Sequence, residues 1–219
     1  MALHLFYHPF SSYCWKALIP LYRAGTAFQV RLVNNGDAAT DDEWRRLWPL
    51  AKMPLLVDDG RVVTEASIIV EYLDRHHPGS SPLIPSDADT ALEVRALDRF
   101  FDNYIHAPTQ AIVGDRLRAP ETQDPVGVAQ AHDRLETALG WLDAHMDGRA
   151  WAVGDAFTLA DCAAAPPLFY SDWVHPWRDR FPNAAAYRAR LNATPEMSRC
   201  IKDARYFREY FPGGAPDQD

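Results

Sequence analysis

Three side chains near the start of the chain could stabilise a reactive anion: Ser11, Ser12 and Cys14. Both serines are favourable helix N-capping residues, and they predict a helix that begins near Tyr13. The N–H groups at the start of that helix and the positive end of its dipole favour an anion beside Ser11. A serine hydroxyl there can donate a hydrogen bond, so the stretch predicts a site for an anion such as a thiolate.

This stretch also allows other roles for the same side chains. Ser11 could cap the helix without any chemical role, and Ser12 could supply a second capping contact. Cys14 follows Ser11 at the spacing of a Cys-x-x-Cys redox motif, and a thiolate at a helix N-terminus is reactive. However, Cys14 shares an apolar stripe with Leu18 and Leu21, which favours a small buried core residue.

The residues around this stretch predict a small sheet flanked by helices. Alternating apolar side chains predict strands at residues 3–7 and 27–33, and Pro9 ends the first of them. Further on, the turn at residues 58–60 joins the two strands of a hairpin. The predicted order is β-α-β-α-β-β-α, with the first two strands parallel through a right-handed crossover.

Three local features refine this first region. Residues 40–43 (Thr-Asp-Asp-Glu) predict a capping box that opens the second helix. Pro54 directly precedes a buried strand, so the Met53-Pro54 peptide bond is a candidate for the cis form. The apolar face predicted for the third helix consists of Ile68, Ile69, Tyr72 and Leu73.

A segment with three prolines, residues 78–86, predicts a linker between two domains. We expect residues 1–77 to form an α/β domain and residues 87–219 to form an all-helical domain. In the second domain, residues 158–161 (Thr-Leu-Ala-Asp) predict another capping box. A long helix is predicted at residues 88–107, and Pro108 should end or kink it. The apolar stripe expected along this helix is Leu92, Ala96, Phe100 and Tyr104 or Ile105.

Composition limits the class of protein. The chain has 219 residues, of which 47% are hydrophobic, and a net charge of −8 with scattered basic residues, which argues against nucleic acid as a partner. No apolar run approaches the roughly 18 residues of a membrane span, and we see no signal peptide. Three widely spaced cysteines fit a reducing compartment, so a cytoplasmic location is expected. The eight histidines show no metal-ligand spacing.

Four motifs together resemble the cytosolic glutathione S-transferases over nearly the whole chain. Residues 11–16 (Ser-Ser-Tyr-Cys-Trp-Lys) are similar to the Ser-Ser-Cys-Ser-Trp-Arg run of zeta-class members and to serine-type bacterial members generally. Residues 52–55 resemble the family's Val-Pro-x-Leu motif with its cis proline. Residues 65–67 resemble its Glu-Ser motif, and residues 158–161 its second-domain capping box. The resemblance implies a thioredoxin-like domain, an all-helical domain and a homodimer.

The resemblance also implies a binding mode for glutathione as co-substrate. Ser11 would stabilise the thiolate, with Tyr7 as the alternative because tyrosine-type members place their phenol there. Further glutathione contacts carried over from the motifs are Lys52 (glycyl carboxylate), Met53 (backbone) beside Pro54, Glu65 (ammonium), and Ala66 and Ser67 (γ-glutamyl carboxylate). The serine of the Glu-Ser motif is displaced here, because Ala66 follows Glu65 and the serine comes one position later.

The implied chemistry is addition of the glutathione thiolate to a small hydrophobic electrophile. The residues expected to contact this electrophile are Phe10, Tyr104, Ile105, Pro108, Phe207 and Tyr210, with ordinary core packing as the alternative for each. Two other functions fit the same resemblance. The zeta-like serine run also fits a glutathione-dependent isomerase or dehalogenase, and the displaced serine also fits a non-catalytic glutathione-binding or interaction protein.

Overall fold

A computed structural model describes residues 3–216, so residues 1–2 and 217–219 lie outside the described residues. The described chain forms two compact units. The first unit extends to Ile84 and also includes Pro195–Arg205, and the second holds Pro85–Thr194 and the segment from Tyr206 onward.

The first unit is a four-stranded sheet with helices. Its strands are Leu3–Tyr7 (β1), Gln29–Leu32 (β2), Leu55–Asp58 (β3) and Arg61–Val63 (β4). Its first three helices are Ser12–Ala24 (α1), Ala38–Leu47 (α2) and Ala66–His76 (α3). The sheet order is β2-β1-β3-β4, with β1 parallel to β2 and the other neighbours antiparallel. The predicted order β-α-β-α-β-β-α and its parallel first pair are confirmed.

The second unit is helical. Its α-helices are Ala88–Phe100 (α4), Ala107–Arg116 (α5), Pro125–His145 (α6), Leu159–Val174 (α7) and Pro182–Asn192 (α8). A π-helical segment, Phe101–His106, joins α4 to α5, and short 3-10 segments occupy Pro120–Thr122 and Arg205–Tyr210. The last α-helix, Pro195–Ala204 (α9), belongs to the first unit, where it packs against α1. An α/β unit followed in the chain by a helical unit agrees with the predicted fold class.

The predicted start of α2 is wrong. The N-cap is Asp37, whose carboxylate accepts hydrogen bonds from the N–H groups of Ala39 and Thr40. Thr40, which the sequence indicated as the N-cap, is buried inside the first turn and donates its hydroxyl to Asp37. An Asp-x-x-Thr pair precedes the Thr-x-x-Glu pattern by three residues, and the earlier carboxylate caps the helix.

The predicted apolar stripe of α4 is also wrong. Leu92 is 66% exposed, and Ala96 is exposed as well. The helix and the π-helical segment after it instead bury Ala91, Val94, Leu97 and Phe101, and of the two predicted alternatives for the last position Ile105 is the buried one. Both stripes have helical spacing, so periodicity alone did not select between them. Pro108 does not end the helical stretch, because it lies in the first turn of α5, where a missing backbone N–H costs little.

The third helix departs from its predicted face at one position. Ile68 is exposed, and Val70 is fully buried in its place, next to Ile69 and Leu73. The predicted hairpin turn at residues 58–60 is confirmed, with positive φ values at Asp59 and Gly60.

The second predicted capping box is confirmed at the start of α7, where Thr158 and Asp161 exchange hydrogen bonds. All sixteen residues of α7 are buried, which makes this helix the centre of the second unit. Along residues 3–216, no helix combines the length and the apolar character needed to cross a membrane.

Candidate functional site

The turn from β1 into α1 is held by backbone and indole hydrogen bonds. The Ser11 N–H donates to the His8 carbonyl at 3.0 Å, and the Ser11 carbonyl accepts from the N–H groups of Cys14 and Trp15. The fully buried Trp15 indole donates to the Pro9 carbonyl at 2.6 Å. Ser11 therefore sits in a fixed position at the N-cap of α1, with extended backbone angles.

The Ser11 hydroxyl does not cap the helix. Among the hydrogen bonds of the described residues, the N-cap side chain makes none to the backbone of α1. Its hydroxyl interacts instead with the Cys14 thiol. The structure thus leaves the purely capping role without support and places a hydroxyl at the positive end of the α1 dipole.

Cys14 has the properties of a core residue. It is fully buried, and this burial raises the pKa of Cys14 to about 12, although the hydrogen bond from Ser11 acts in the opposite direction. A thiol with this pKa stays protonated at neutral pH, so it lacks the thiolate that redox or nucleophilic chemistry needs. A protonated thiol can also donate weakly to the Ser11 oxygen, which leaves the Ser11 hydroxyl hydrogen to point elsewhere.

Tyr7 is engaged with other residues of the first unit. It is buried at the end of β1, and its phenol is hydrogen-bonded to that of Tyr22 on α1. Burial, followed by the nearby Asp203 carboxylate on α9, raises the pKa of Tyr7. The next residue of α1, Arg23, forms an ion pair with Glu196 on α9 at 2.6 Å. Tyr7 therefore links β1 to α1, which makes it a weaker candidate than Ser11 for a thiolate donor.

The second part of the site precedes β3. The Met53-Pro54 peptide bond is cis, Pro54 is buried and Met53 is half-buried. Lys52 has an exposed side chain, while its backbone carbonyl accepts the Trp44 indole N–H at 3.0 Å. Trp44 is itself buried in the core of the unit, so it fixes the backbone just before Met53.

The third part is the N-terminus of α3. Glu65 is its N-cap, is exposed and has a positive φ of 67°, which is rare for a glutamate. Ala66 is buried in the first turn, and Ser67 is half-buried beside it. The Ser67 hydroxyl oxygen accepts a hydrogen bond from the ammonium of Lys16 at 2.9 Å. A helix N-terminus of this kind favours a carboxylate or phosphate.

These three parts meet at one end of the sheet, where β1 ends and β3 begins. Phe6 on β1 pairs with Leu55 on β3, so the end of β1 and the Met53-Pro54 bond are neighbours. The Lys16–Ser67 hydrogen bond joins α1 to the first turn of α3. The first unit thus brings together a hydroxyl at one helix N-terminus, the backbone of Met53 and a second helix N-terminus.

The predicted electrophile contacts have dissimilar environments. Phe10 is half-buried in the first unit, next to Ser11. In the second unit, Ile105 is fully buried and Pro108 is buried. Tyr104 and Tyr210 are exposed, and Phe207 is half-buried. Their contact with an electrophile stays a prediction.

Two residues of this region were not assigned to the site from the sequence. These are Lys16, which ends the motif at residues 11–16, and Trp44 on α2. The available signal for Lys16 was a lysine between Trp15 and Ala17 on a strongly apolar helix, because a buried lysine needs a polar partner.

Replacement of Glu65 by glycine should have opposite effects on stability and on ligand binding. We expect Glu65→Gly to raise the free energy of unfolding by about 1 kcal/mol. A non-glycine residue at this positive φ costs about 1–3 kcal/mol, which glycine avoids. Glycine also loses more backbone entropy on folding, and this loss cancels part of the stabilisation. The same change should weaken binding of a γ-glutamyl ligand. Urea unfolding and calorimetric titration measure the two effects. Glu65→Gln, which keeps the strained backbone, is the matched control, and equal stability of the two variants would contradict the strain argument.

Comparison with known proteins shows which family this chain resembles. Models for the N-terminal and C-terminal domains of glutathione S-transferases match residues 5–81 and 125–190. The glutathione S-transferase-like protein LUC7 of Fusarium sp. is 35% identical over 161 residues, which cover 71% of this chain and 72% of the relative. A probable maleylacetoacetate isomerase of Caenorhabditis elegans is 31% identical over 163 residues, covering 74% of each.

A solved structure supports the same relationship. The glutathione S-transferase of Methylobacterium radiotolerans JCM 2831, crystallised with glutathione sulfonate, matches with a TM-score of 0.80 and 28% identity. The match covers 100% of this chain and 99% of that one. Since both domain models match in order and together cover more than half of the sequence, this protein belongs to the glutathione S-transferase family.

Proposed function

We propose that the first unit binds glutathione and activates its thiol as a thiolate that attacks a hydrophobic electrophile. The observation that carries this proposal is the Ser11 hydroxyl at the N-terminus of α1, where it makes no capping bond to the described helix backbone. A free thiol has a pKa of about 8.5, so little of it is thiolate at pH 7. A hydrogen bond from Ser11 and the helix dipole both favour the charged form and lower that pKa.

The rest of the first unit supports the binding of an extended peptide. The backbone of Met53 beside the cis Pro54 offers N–H and C=O groups for strand addition to the cysteinyl part. The exposed side chain of Lys52 is proposed to meet the glycyl carboxylate. At the other end, Glu65 would pair with the γ-glutamyl ammonium, and the first turn of α3, with Ala66 and Ser67, would receive its carboxylate.

The electrophile contacts are proposed separately for each unit. Phe10 lies directly before Ser11 in the first unit and is half-buried. In the second unit, Tyr104 and Tyr210 are exposed aromatic side chains that a flat hydrophobic substrate could contact, and Phe207 is half-buried. Ile105 and Pro108 are buried, which favours core packing for both over contact with a substrate.

A second function is favoured by one comparison. The relative from Caenorhabditis elegans is a probable maleylacetoacetate isomerase, and it matches three quarters of this chain. In an isomerisation the thiolate adds to the substrate and leaves again, so glutathione is regenerated. In a transfer reaction one glutathione is consumed for each product molecule.

The experiment follows glutathione and product together. Calorimetric titration first measures glutathione binding, and a panel of aromatic halides, epoxides, enones and cis-diene diacids is then assayed with thiol quantification. Equal loss of thiol and electrophile supports the transferase, and turnover without thiol loss supports the isomerase. Binding without turnover on any compound would indicate a non-catalytic glutathione-binding protein, and absence of binding would overturn the proposal.

We also propose that the protein is a homodimer, formed through the apolar face of α4 and α6. Phe100, Tyr104 and Trp141 line an open groove of about 450 Å³ on the second unit. Tyr104 is 57% exposed and Trp141 is 47% exposed. An aromatic face of this kind usually marks a contact with another molecule.

The proposed dimer predicts the molecular mass of the protein in solution. We expect light scattering to give about twice the chain mass of 24.7 kDa, and Trp141→Glu to shift the protein toward the monomer, because a carboxylate would be buried unpaired. Tyr206→Glu changes an exposed aromatic residue that does not line the groove and is the matched control. A parent protein that is monomeric at micromolar concentration would contradict the proposal.

A further inference from the structure

Trp44 connects α2 to the core of the first unit. Of the ten residues of α2, all of them described, only Thr40 and Trp44 are buried. Trp44 belongs to a core cluster whose other buried members are Phe6, Val33 and Leu55. Its indole N–H donates a hydrogen bond to the Lys52 carbonyl, with 3.0 Å between nitrogen and oxygen. The buried polar group of the indole is thus satisfied by the backbone of the segment that precedes β3.

This hydrogen bond fixes the direction of the peptide unit that Lys52 shares with Met53. Among the described residues only the Met53-Pro54 bond is cis, so the Lys52-Met53 bond is trans. In a planar trans peptide unit the C=O and N–H groups point in opposite directions. Because the Lys52 carbonyl points toward the Trp44 indole, the Met53 N–H points away from it.

The backbone before this peptide unit is constrained by the end of the same helix. The Trp48 N–H donates to the Trp44 carbonyl at 2.9 Å, and the Ala51 N–H donates to the Trp48 carbonyl at 2.8 Å. Ala51 has a positive φ of 48°, which is unfavourable for a residue with a Cβ. Such a conformation persists only where surrounding contacts impose it, so the contacts of α2 set the path of the chain into Met53.

The Met53 N–H is directed but is not used within the described residues. Met53 is half-buried, and no hydrogen bond between described residues has its backbone N–H as the donor. A backbone N–H can only donate, so its partner in a bound ligand is an acceptor such as a carbonyl oxygen. In antiparallel strand addition to a cysteinyl residue, this acceptor is the carbonyl of that cysteinyl residue.

We propose that Trp44 is a positioning residue, which directs the Met53 N–H toward the carbonyl of the Cys–Gly peptide bond of the ligand. The inference rests on the proposed binding of glutathione and adds a residue that determines how well one bond to it is made. Trp44 does not touch the ligand. It acts through the Lys52–Met53 peptide unit, so its effect concerns one carbonyl of the ligand and not the thiol or the two ends.

The test is a calorimetric titration of two ligands against the parent and Trp44→Phe. One ligand is glutathione, and the other is an analogue in which a trans alkene replaces the Cys–Gly peptide bond, which keeps the shape and removes the carbonyl and the N–H. Phenylalanine keeps an aromatic ring in the core cluster and removes the indole N–H. We expect Trp44→Phe to weaken glutathione binding about 3- to 10-fold, within the range for one neutral hydrogen bond. Binding of the analogue should weaken less than about twofold, because the carbonyl concerned is absent.

Trp48→Phe is the matched control, because Trp48 packs against the same core cluster and its indole is not the donor to Lys52. This variant should leave the ratio of the two affinities at the parent value. Equal weakening of both ligands by Trp44→Phe would indicate a packing role and overturn the inference, as would unchanged binding of glutathione.

A second replacement covers a Trp44→Phe variant that does not fold. In that case 3-benzothienylalanine, which has the shape of tryptophan without the N–H, replaces Trp44 and is judged by the same two affinities. A parent protein that binds glutathione and the alkene analogue equally well would also overturn the inference and leave the proposed function intact. Failure of the parent to bind glutathione would instead contradict the proposed function.

Discussion

Replacement of Ser11 by alanine is expected to reduce kcat/KM with a hydrophobic electrophile about 10²- to 10³-fold. The hydroxyl at the N-terminus of α1 is the proposed donor to the glutathione thiolate, and loss of one such donor typically costs this much. Affinity for glutathione should change little, since the peptide ends are held at β3 and α3. Steady-state kinetics at saturating glutathione measure the effect.

The control for this prediction lies one position along the chain. Ser12→Ala removes the same group from a buried residue in the first turn of α1, and we expect a loss below about tenfold. Tyr7→Phe and Cys14→Ala test the other two candidates, whose raised pKa values and burial favour structural roles. A large loss in Tyr7→Phe with little loss in Ser11→Ala would transfer the donor role to Tyr7.

Replacement of Asp161 by alanine is expected to lower the free energy of unfolding by about 3–5 kcal/mol. The Asp161 carboxylate is fully buried and accepts the backbone N–H groups of Ala152 and Thr158, at 2.9 and 2.8 Å. It also accepts the Tyr187 hydroxyl at 2.6 Å. Alanine would leave these buried donors without their acceptor, at about 1–3 kcal/mol each, and would remove the cap of α7. Urea unfolding followed by circular dichroism measures the change.

Tyr187→Phe provides the matched comparison for Asp161. Burial and the neighbouring Asp161 raise the pKa of Tyr187, so its phenol stays protonated and donates. Phenylalanine keeps the ring and removes one of the donors to the carboxylate, so we expect a loss of about 1 kcal/mol. If Asp161→Ala cost no more than Tyr187→Phe, the capping box would not have the stabilising role assigned to it.

The parts of the site that are local in sequence could be predicted. The strand, turn and helix around Ser11 follow from apolar alternation, a proline and two capping residues within about a dozen positions. The cis bond before Pro54 and the capping box at Thr158 are local patterns of the same kind, and the structure has both. The fold class followed from the order of these elements, and the family match confirms it.

Where the sequence offers two equivalent local patterns, it could not predict which one the structure uses. The cap of α2 is Asp37 and not Thr40, although both begin an acceptable capping pattern. Along α4 and the π-helical segment after it, one apolar stripe is buried, while Leu92 and Tyr104 of the other are exposed. Only the packing of distant segments decides which of the two is covered, and the sequence of the helix does not contain that information.

Long-range side-chain contacts were likewise out of reach. The hydrogen bond from Lys16 to Ser67 connects residues 51 positions apart, and the bond from Trp44 to the Lys52 carbonyl depends on how α2 lies against β3. These contacts decide where the first turn of α3 and the backbone before Met53 are held. They hold the backbone of the proposed glutathione site in place, whereas the sequence motifs indicated only which residues would bind glutathione.

The most direct test of thiolate activation at the N-terminus of α1 is an ultraviolet difference titration of bound glutathione against pH. Stabilisation of the thiolate by Ser11 should give the thiol of bound glutathione a pKa clearly below the free value of about 8.5, and Ser11→Ala should raise that pKa by about one to two units, as expected for a lost bond to a charged group. A bound thiol in the parent protein with the same pKa as free glutathione would show that the N-terminus of α1 does not activate the thiol.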